Sequence, residues 1–127
     1  MQPEMSESDP SLSPNKRAVA AYVEGFRTGD HDAILSLLTE DVIWEMPGDF
    51  SITGKAAFDK EIENDTFTGK PTLTVIRMVE ENDVVVLLGT VEARFTDGGE
   101  LHGIFSDYFH FREGLIRRIE SYQVDNR

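Results

Sequence analysis

From Ser13 onward the apolar residues recur first at helical and then at strand spacing. Val19, Tyr22, Val23 and Phe26 fall at three- and four-residue steps, predicting a helix that Ser13 caps, Pro14 opens and Thr28-Gly29 ends. Asp30 caps a second, short helix through HDAILSLL, with Ile34, Leu35, Leu37 and Leu38 on its buried side. TED breaks that pattern, and VIWEM alternates as a strand with Val42, Trp44 and Met46 on one face and Ile43 and Glu45 on the other. Pro47 and Gly48 end the strand. After a loop, PGDFSIT, residues 55 to about 65 predict a third helix in which Phe58 and Ile62 lie one turn apart.

Beyond Pro71 the pattern is strand throughout. TLTVIRMVE, DVVVLLGTVEARF, ELHGIFSDYFHFR and LIRRIESYQV are separated by END, TDGG and EG, each suited to a hairpin. The predicted order is αα-β-α-ββββ, an α+β domain. Its sheet, mixed but mainly antiparallel, would curve around three helices as a cone-shaped roll with a hollow between the layers. Residues 1–12 carry acids, Ser and Pro with little to bury, so they are expected to form a disordered arm ahead of one domain over 13–127.

Charge narrows the partners. Twelve Lys and Arg stand against 24 Asp and Glu, a net charge of −12, which argues against nucleic acid and anionic membrane surfaces. The absence of Cys removes disulfides, thiolate nucleophiles and Cys-based metal sites. No apolar run is long enough to span a bilayer and the N-terminus does not resemble a signal peptide, so a soluble, cytoplasmic protein is expected.

One residue stands out chemically. In GIFSDYFHFREG, alternation puts Leu101, Gly103, Phe105, Asp107, Phe109 and Phe111 on one face and His102, Ile104, Ser106, Tyr108, His110 and Arg112 on the other. If the first face meets the helices, desolvation favours the neutral form of Asp107, which can then donate a hydrogen bond. Bonding to backbone amides or to an Arg, or a bulge turning the residue to solvent, would give a purely structural Asp. His102 and His110 fall on the outer face and His31 at a helix start, a spacing that predicts no metal. No phosphate loop, dinucleotide fingerprint or nucleophile elbow occurs, so no cofactor is expected. Val84, Val86 and Leu88 join Ile104 and Tyr108 in an apolar outer surface that a two-fold homodimer would cover.

The order of elements, with AYVEGFRTGDHDAILSLLTEDVIWEMPG at the front, ITGKAAF entering the third helix and SDYFHFREGLIRRIESY at the back, resembles the nuclear transport factor 2-like superfamily from about Asn15 to Asp125. That superfamily includes ketosteroid isomerases, scytalone dehydratase, limonene epoxide hydrolase and SnoaL-like polyketide cyclases. The isomerases, whose Asp base and oxyanion hole of Tyr and protonated Asp are a standard case of pKa tuning, imply oxyanion roles for Tyr22 in YVEGFRTGD and Asp107 in DYFHFREG. The resemblance puts Met46, in EMP, where those enzymes carry their general base; Glu45 lies on the opposite strand face and Asp49 in the following loop. The acid that SnoaL-like cyclases carry on the last strand does not map onto ESYQVD. The resemblance therefore implies a small-molecule enzyme acting without cofactor on an apolar carbonyl compound, as an isomerase, cyclase or lyase. Tyr22 and Asp107 would be catalytic, and Phe26, Trp44, Met46, Phe58, Phe105 and Phe109 would line a hydrophobic pocket. The alternative is a non-catalytic module that binds an apolar ligand or a protein.

Overall fold

The structure is a computed structural model that describes residues 11–63 and 67–125. Apart from Ser11 and Leu12, the expected N-terminal arm lies outside the described residues. Two helices come first. In α1 (Pro14–Thr28) Ser13 Oγ accepts a hydrogen bond from the Lys16 amide at 3.1 Å, and Gly29 closes the helix in the left-handed region at φ 69°. Asp30 caps α2 (His31–Leu35) by accepting from the Ala33 amide at 3.1 Å. The chain continues through β1 (Leu38–Met46), β2 (Phe50–Thr53), α3 (Lys55–Ile62), β3 (Phe67–Glu81), β4 (Val84–Phe95), β5 (Glu100–Arg112) and β6 (Leu115–Asp125).

Three expectations need correction. The second helix stops at Leu35, and Leu38 already begins β1, so TED interrupts the helical pattern without interrupting the strand. The segment expected to be a loop after Pro47 contains β2, which folds back antiparallel on β1 and pairs Met46 with Phe50 and Trp44 with Ile52. The order is therefore αα-ββ-α-ββββ. The third helix ends at Ile62, short of the expected residue 65. Local patterning misses β2 because four residues are too few to display alternation beside a Pro-Gly turn.

All six strands form one sheet in the order β2-β1-β6-β5-β4-β3. β3 to β6 are linked by antiparallel hairpins. Asn82 and Asp83 take positive φ in the first turn, and Glu113 and Gly114 do so in the last, which matches the right-handed twist of the flanking strands. β1 instead runs parallel to β6, placing Trp44 opposite Ile119. Register shifts interrupt the pairing of β1 with β6, β3 with β4, and β5 with β6. Such irregularities increase local twist and help a long sheet curl.

The core lies where the concave face meets the helices. Val19, Ile34, Val42, Phe58, Val85, Phe109, Ile116 and Ile119 have no accessible surface. Full burial of each large side chain is worth roughly 1.5–3 kcal/mol, so this cluster anchors helices to sheet. Polar ties reinforce it: Arg27 Nη2 donates to the Leu73 carbonyl at 2.6 Å, joining α1 to β3, and Asn15 and Ser13 both reach the Glu80 carboxylate. On the convex face Ile76, Val79, Ile104, Tyr122 and Val124 remain exposed. Among the described residues no helix is long and apolar enough to cross a membrane.

Two local features, Gly89 and His31, bear on stability. Gly89 of β4 faces Phe105 of β5 across the ladder, and a Cβ there would stand 2.5 Å from the Thr74 carbonyl oxygen and 2.8 Å from Phe105 Cζ. Because a backbone atom cannot move aside cheaply, Gly89→Ala should cost about 1–3 kcal/mol in chemical denaturation. His31 at the start of α2 lies 2.5 Å from an Asp59 oxygen and 2.7 Å from a Glu63 oxygen, so both ring nitrogens donate and these bonds hold its pKa above the ordinary value. The folded state then binds the extra proton more tightly. Its stabilising contribution is complete below the unfolded-state pKa of about 6.5 and is lost as pH rises through the higher folded value. Thermal unfolding across that window should fall less steeply with pH in His31→Gln than in the wild type.

Candidate functional site

Alternation along β5 directs its side chains as its pattern predicts. Leu101, Phe109 and Phe111 enter the core, while Ile104 and Tyr108 are exposed on the other face. His102 and His110 are also outward, beside acids: His110 Nε2 lies 2.6 Å from Glu120 Oε1, and His102 contacts Glu92 and Glu100. Asp107 belongs to the inner face, opposite Leu87 of β4 and Ser121 of β6. It keeps some accessible surface but lies deep among protein atoms, and that desolvation pushes its pKa up to about 7 despite a hydrogen bond from Ser121 that works in the other direction.

Ser121 is itself buried, and its hydroxyl has a second partner. Trp44 Nε1 donates to Ser121 Oγ at 3.0 Å. An indole N–H can only donate, so Ser121 must accept from it, leaving the hydroxyl proton free for the Asp107 carboxylate. Tyr22 approaches from α1. Its phenol is buried, and both desolvation and the nearby charge of Asp107 drive its pKa well above the usual value, so it remains a neutral donor.

Aromatic side chains surround these groups. The Tyr22 ring packs at centroid distances of 4.9 Å from Phe26 and 5.0 Å from Phe109, and Trp44 lies 4.9 Å from Phe58 and 5.2 Å from Phe50. Above this cluster the wide end of the cone opens as a cleft of about 1400 Å³, a volume that also takes in outer-face space beside Leu88, Ile104 and Tyr122. Its inner wall includes Phe26, Trp44, Met46, Phe50, Leu101, Phe105 and Ser121, with Asp49, Glu61, Glu63 and Lys70 near the rim.

Of the residues named from sequence, Phe26, Trp44, Met46 and Phe105 border the cleft, whereas Tyr22, Phe58, Asp107 and Phe109 do not. Phe58 and Phe109 are completely buried core residues, so their place as pocket lining is corrected; the helices and sheet close over them before the cone widens. Tyr22 and Asp107 both lie outside the cleft lining, near enough for the charge of Asp107 to help raise the Tyr22 pKa. Glu45 points away to Arg118 on the outer face, and Asp49 sits exposed in the turn after β1. Met46 offers no proton acceptor. Sequence reasoning misses Phe50 and Ser121. Counting by two from Ile119 along β6 places Ser121 inward, but nothing local announces its link to Trp44, 77 residues away. Among the described residues no three His, Cys, Asp or Glu side chains are arranged to hold a metal.

Burying Asp107 has a stability consequence. Between the ordinary Asp value of 3.8 and about 7 the folded state holds a proton that the unfolded chain has released. Stability should therefore fall as pH rises through that window, by at most about 1.4 kcal/mol per pH unit from this group. Asp107→Asn, which stays neutral, should unfold at a higher temperature than the wild type at pH 8 and show little advantage at pH 4. Equal pH profiles for the two proteins would contradict the buried, protonated carboxyl.

Comparison with known proteins agrees with this architecture. An epoxide hydrolase of M. tuberculosis described as LEH-like superposes with a TM-score of 0.78 at 17% identity, over 91% of this chain and 86% of that one. TerC, solved co-crystallised with polyporic acid, gives a TM-score of 0.78 at 27% identity over 90% and 92% of the two chains. A computationally designed binder of 17-OHP gives 0.76 at 19% identity, over 91% of this chain and all of the designed one (100%). No curated protein sequence matches the chain. The SnoaL-like domain family matches residues 19–119, most of the chain and every element from mid α1 to mid β6, and the protein belongs to that family.

Proposed function

We propose that the protein is a small-molecule enzyme that takes an apolar carbonyl compound into the open end of the cone and promotes proton transfer next to the carbonyl, without a cofactor. The observation that carries this reading is the carboxyl of Asp107, held near pKa 7 beside the neutral phenol of Tyr22 under an aromatic-walled cleft. A group with that pKa is present in both forms near neutral pH, so it can give and take a proton, the condition under which acid–base catalysis is most effective. Donors already oriented in a site that excludes water stabilise a developing enolate oxygen far more than donors in bulk water do. The aromatic wall formed by Phe26, Trp44, Phe50 and Phe105 suits a flat apolar ligand. TerC, at 27% identity, was crystallised with polyporic acid, which supports assigning a small organic ligand to the same cone.

A second reading is favoured by a specific feature. Tyr22 and Asp107 lie behind the cleft wall and Met46 stands where a base would be needed, which suits a module that binds an apolar ligand and performs no chemistry. The two readings part on one measurement. Exchange of the methyl protons of 2-acetylnaphthalene for deuterium, followed by proton NMR in D₂O, reports enolisation whatever the natural substrate is. On the enzyme reading the wild type accelerates exchange, and Asp107→Asn and Tyr22→Phe each lower the accelerated rate about a hundredfold. Binding of the ketone without acceleration of exchange would select the second reading. Unchanged exchange in both variants would remove these residues from the site.

A further inference from the structure

Asp107 is not among the residues that line the cleft, while Ser121 beside it is. Ser121 borders the cleft, is 5% exposed, and is the cross-strand partner of Asp107 in the β5–β6 ladder. We propose that Ser121 is the hydrogen-bonding contact for the ligand's oxygen, and that Asp107 acts through it, setting by its charge whether the Ser121 proton points into the cleft or back toward the carboxylate. This rests on the carbonyl reading of the cleft given above and adds the residue that meets the oxygen.

The switch lies in the single proton of the Ser121 hydroxyl. A Ser hydroxyl has one proton and two acceptor lone pairs. Trp44 Nε1, 3.0 Å away, occupies one lone pair in every state because indole cannot accept. When Asp107 is ionised it can only accept, so it takes the Ser121 proton and leaves one lone pair of Ser121 for a ligand that donates. When Asp107 is protonated it can donate to that second lone pair. Ser121 then has both lone pairs filled and turns its own proton toward the cleft, where a carbonyl oxygen can accept it. The same three side chains thus prefer an acceptor ligand in one charge state and a donor ligand in the other.

The groups around Asp107 leave this exchange to Ser121. Tyr22 approaches from α1, Leu87 stands opposite on β4, and Phe105 and Phe109 are its inward neighbours on β5. Of these only Tyr22 titrates, and its pKa is driven upward, so it stays a neutral donor through the pH range in which Asp107 changes charge. Arg27, farther along α1, is turned to the Leu73 carbonyl and to Glu24. The titration of Asp107 near pH 7 puts the switch in a range where both states can be measured.

The test uses the full chain and 2-acetylnaphthalene, whose carbonyl only accepts, with affinity measured from pH 5 to 9. In the wild type the affinity should fall roughly three- to tenfold as Asp107 ionises, the worth of one neutral hydrogen bond. Ser121→Ala should bind at the weak limit at every pH. Asp107→Asn should bind at the tight limit at every pH, since its amide N–H continues to donate to Ser121. Carbon-13 NMR of the Asp107 carboxyl supplies a readout that packing alone does not move: removing the Ser121 donor should raise the titration midpoint above that of the wild type. A Ser121→Ala protein that keeps the wild-type pH dependence of binding, or an unmoved Asp107 midpoint, overturns the relay while leaving the carbonyl reading in place. A wild type that binds no ketone at any pH defeats both.

Discussion

The parallel pairing of β1 with β6 is the constraint on which the site depends. A chain of hairpins would leave β6 as a free edge and the β1–β2 hairpin detached from it, and the sheet would lack the two strands that complete the wall of the cone. Pairing β1 alongside β6 closes that gap and brings Trp44 opposite Ile119, two residues from Ser121. This placement produces the indole-to-hydroxyl bond, and through Ser121 the contact with Asp107 on the next strand. The same pairing turns Glu45 outward to Arg118, so an acid adjacent to the expected base position is kept out of the hollow. Non-local pairing of this kind closes a long loop before any contact rewards it, and buried apolar residues such as Val42, Ile116 and Ile119 supply the compensating gain.

Within that frame the inner face divides into a filled part and an open part. Around Tyr22, Phe58 and Phe109 the helices press against the sheet and side chains pack ring against ring. Toward the ends of α1, β1 and β6 the layers diverge and leave space that side chains do not fill. Asp107 lies at the boundary, where water is largely excluded but partners are few. A carboxyl there is costly when charged, which is a poor arrangement for stability and a useful one for moving protons near neutral pH. Gly89 contributes to the boundary in another way, because its missing side chain lets Phe105 lie close to β4 and form part of the cleft wall.

Much of the fold was legible in local patterns. Ser13, Asp30 and Gly29 mark helix ends because their side chains or φ angles meet local backbone needs, and the structure uses each in that way. Hairpins at Asn82-Asp83 and Glu113-Gly114 were readable for the same reason. Alternation in β5 correctly placed Asp107 inward and both of its His residues outward. Local pattern fails where tertiary contact overrides it: Leu38 leaves the helix to join β6, and Phe50–Thr53 becomes a strand because β1 offers it an edge. Phe58 and Phe109 show the same limit in the site, since an apolar residue facing inward looks identical in sequence whether it meets a cavity or another side chain.

By itself, then, the sequence determined the helices and hairpins, the inward direction of Asp107 and Tyr22, and the absence of an acid at Met46, since each depends on residue identity and on periods of two or 3.6. The tertiary structure alone decided which strands lie side by side, where the cone is filled and where it is open, and that Ser121 receives the Trp44 indole while facing Asp107. Those are properties of residues far apart in the chain, brought together by burial of the shared core, and no local pattern records them.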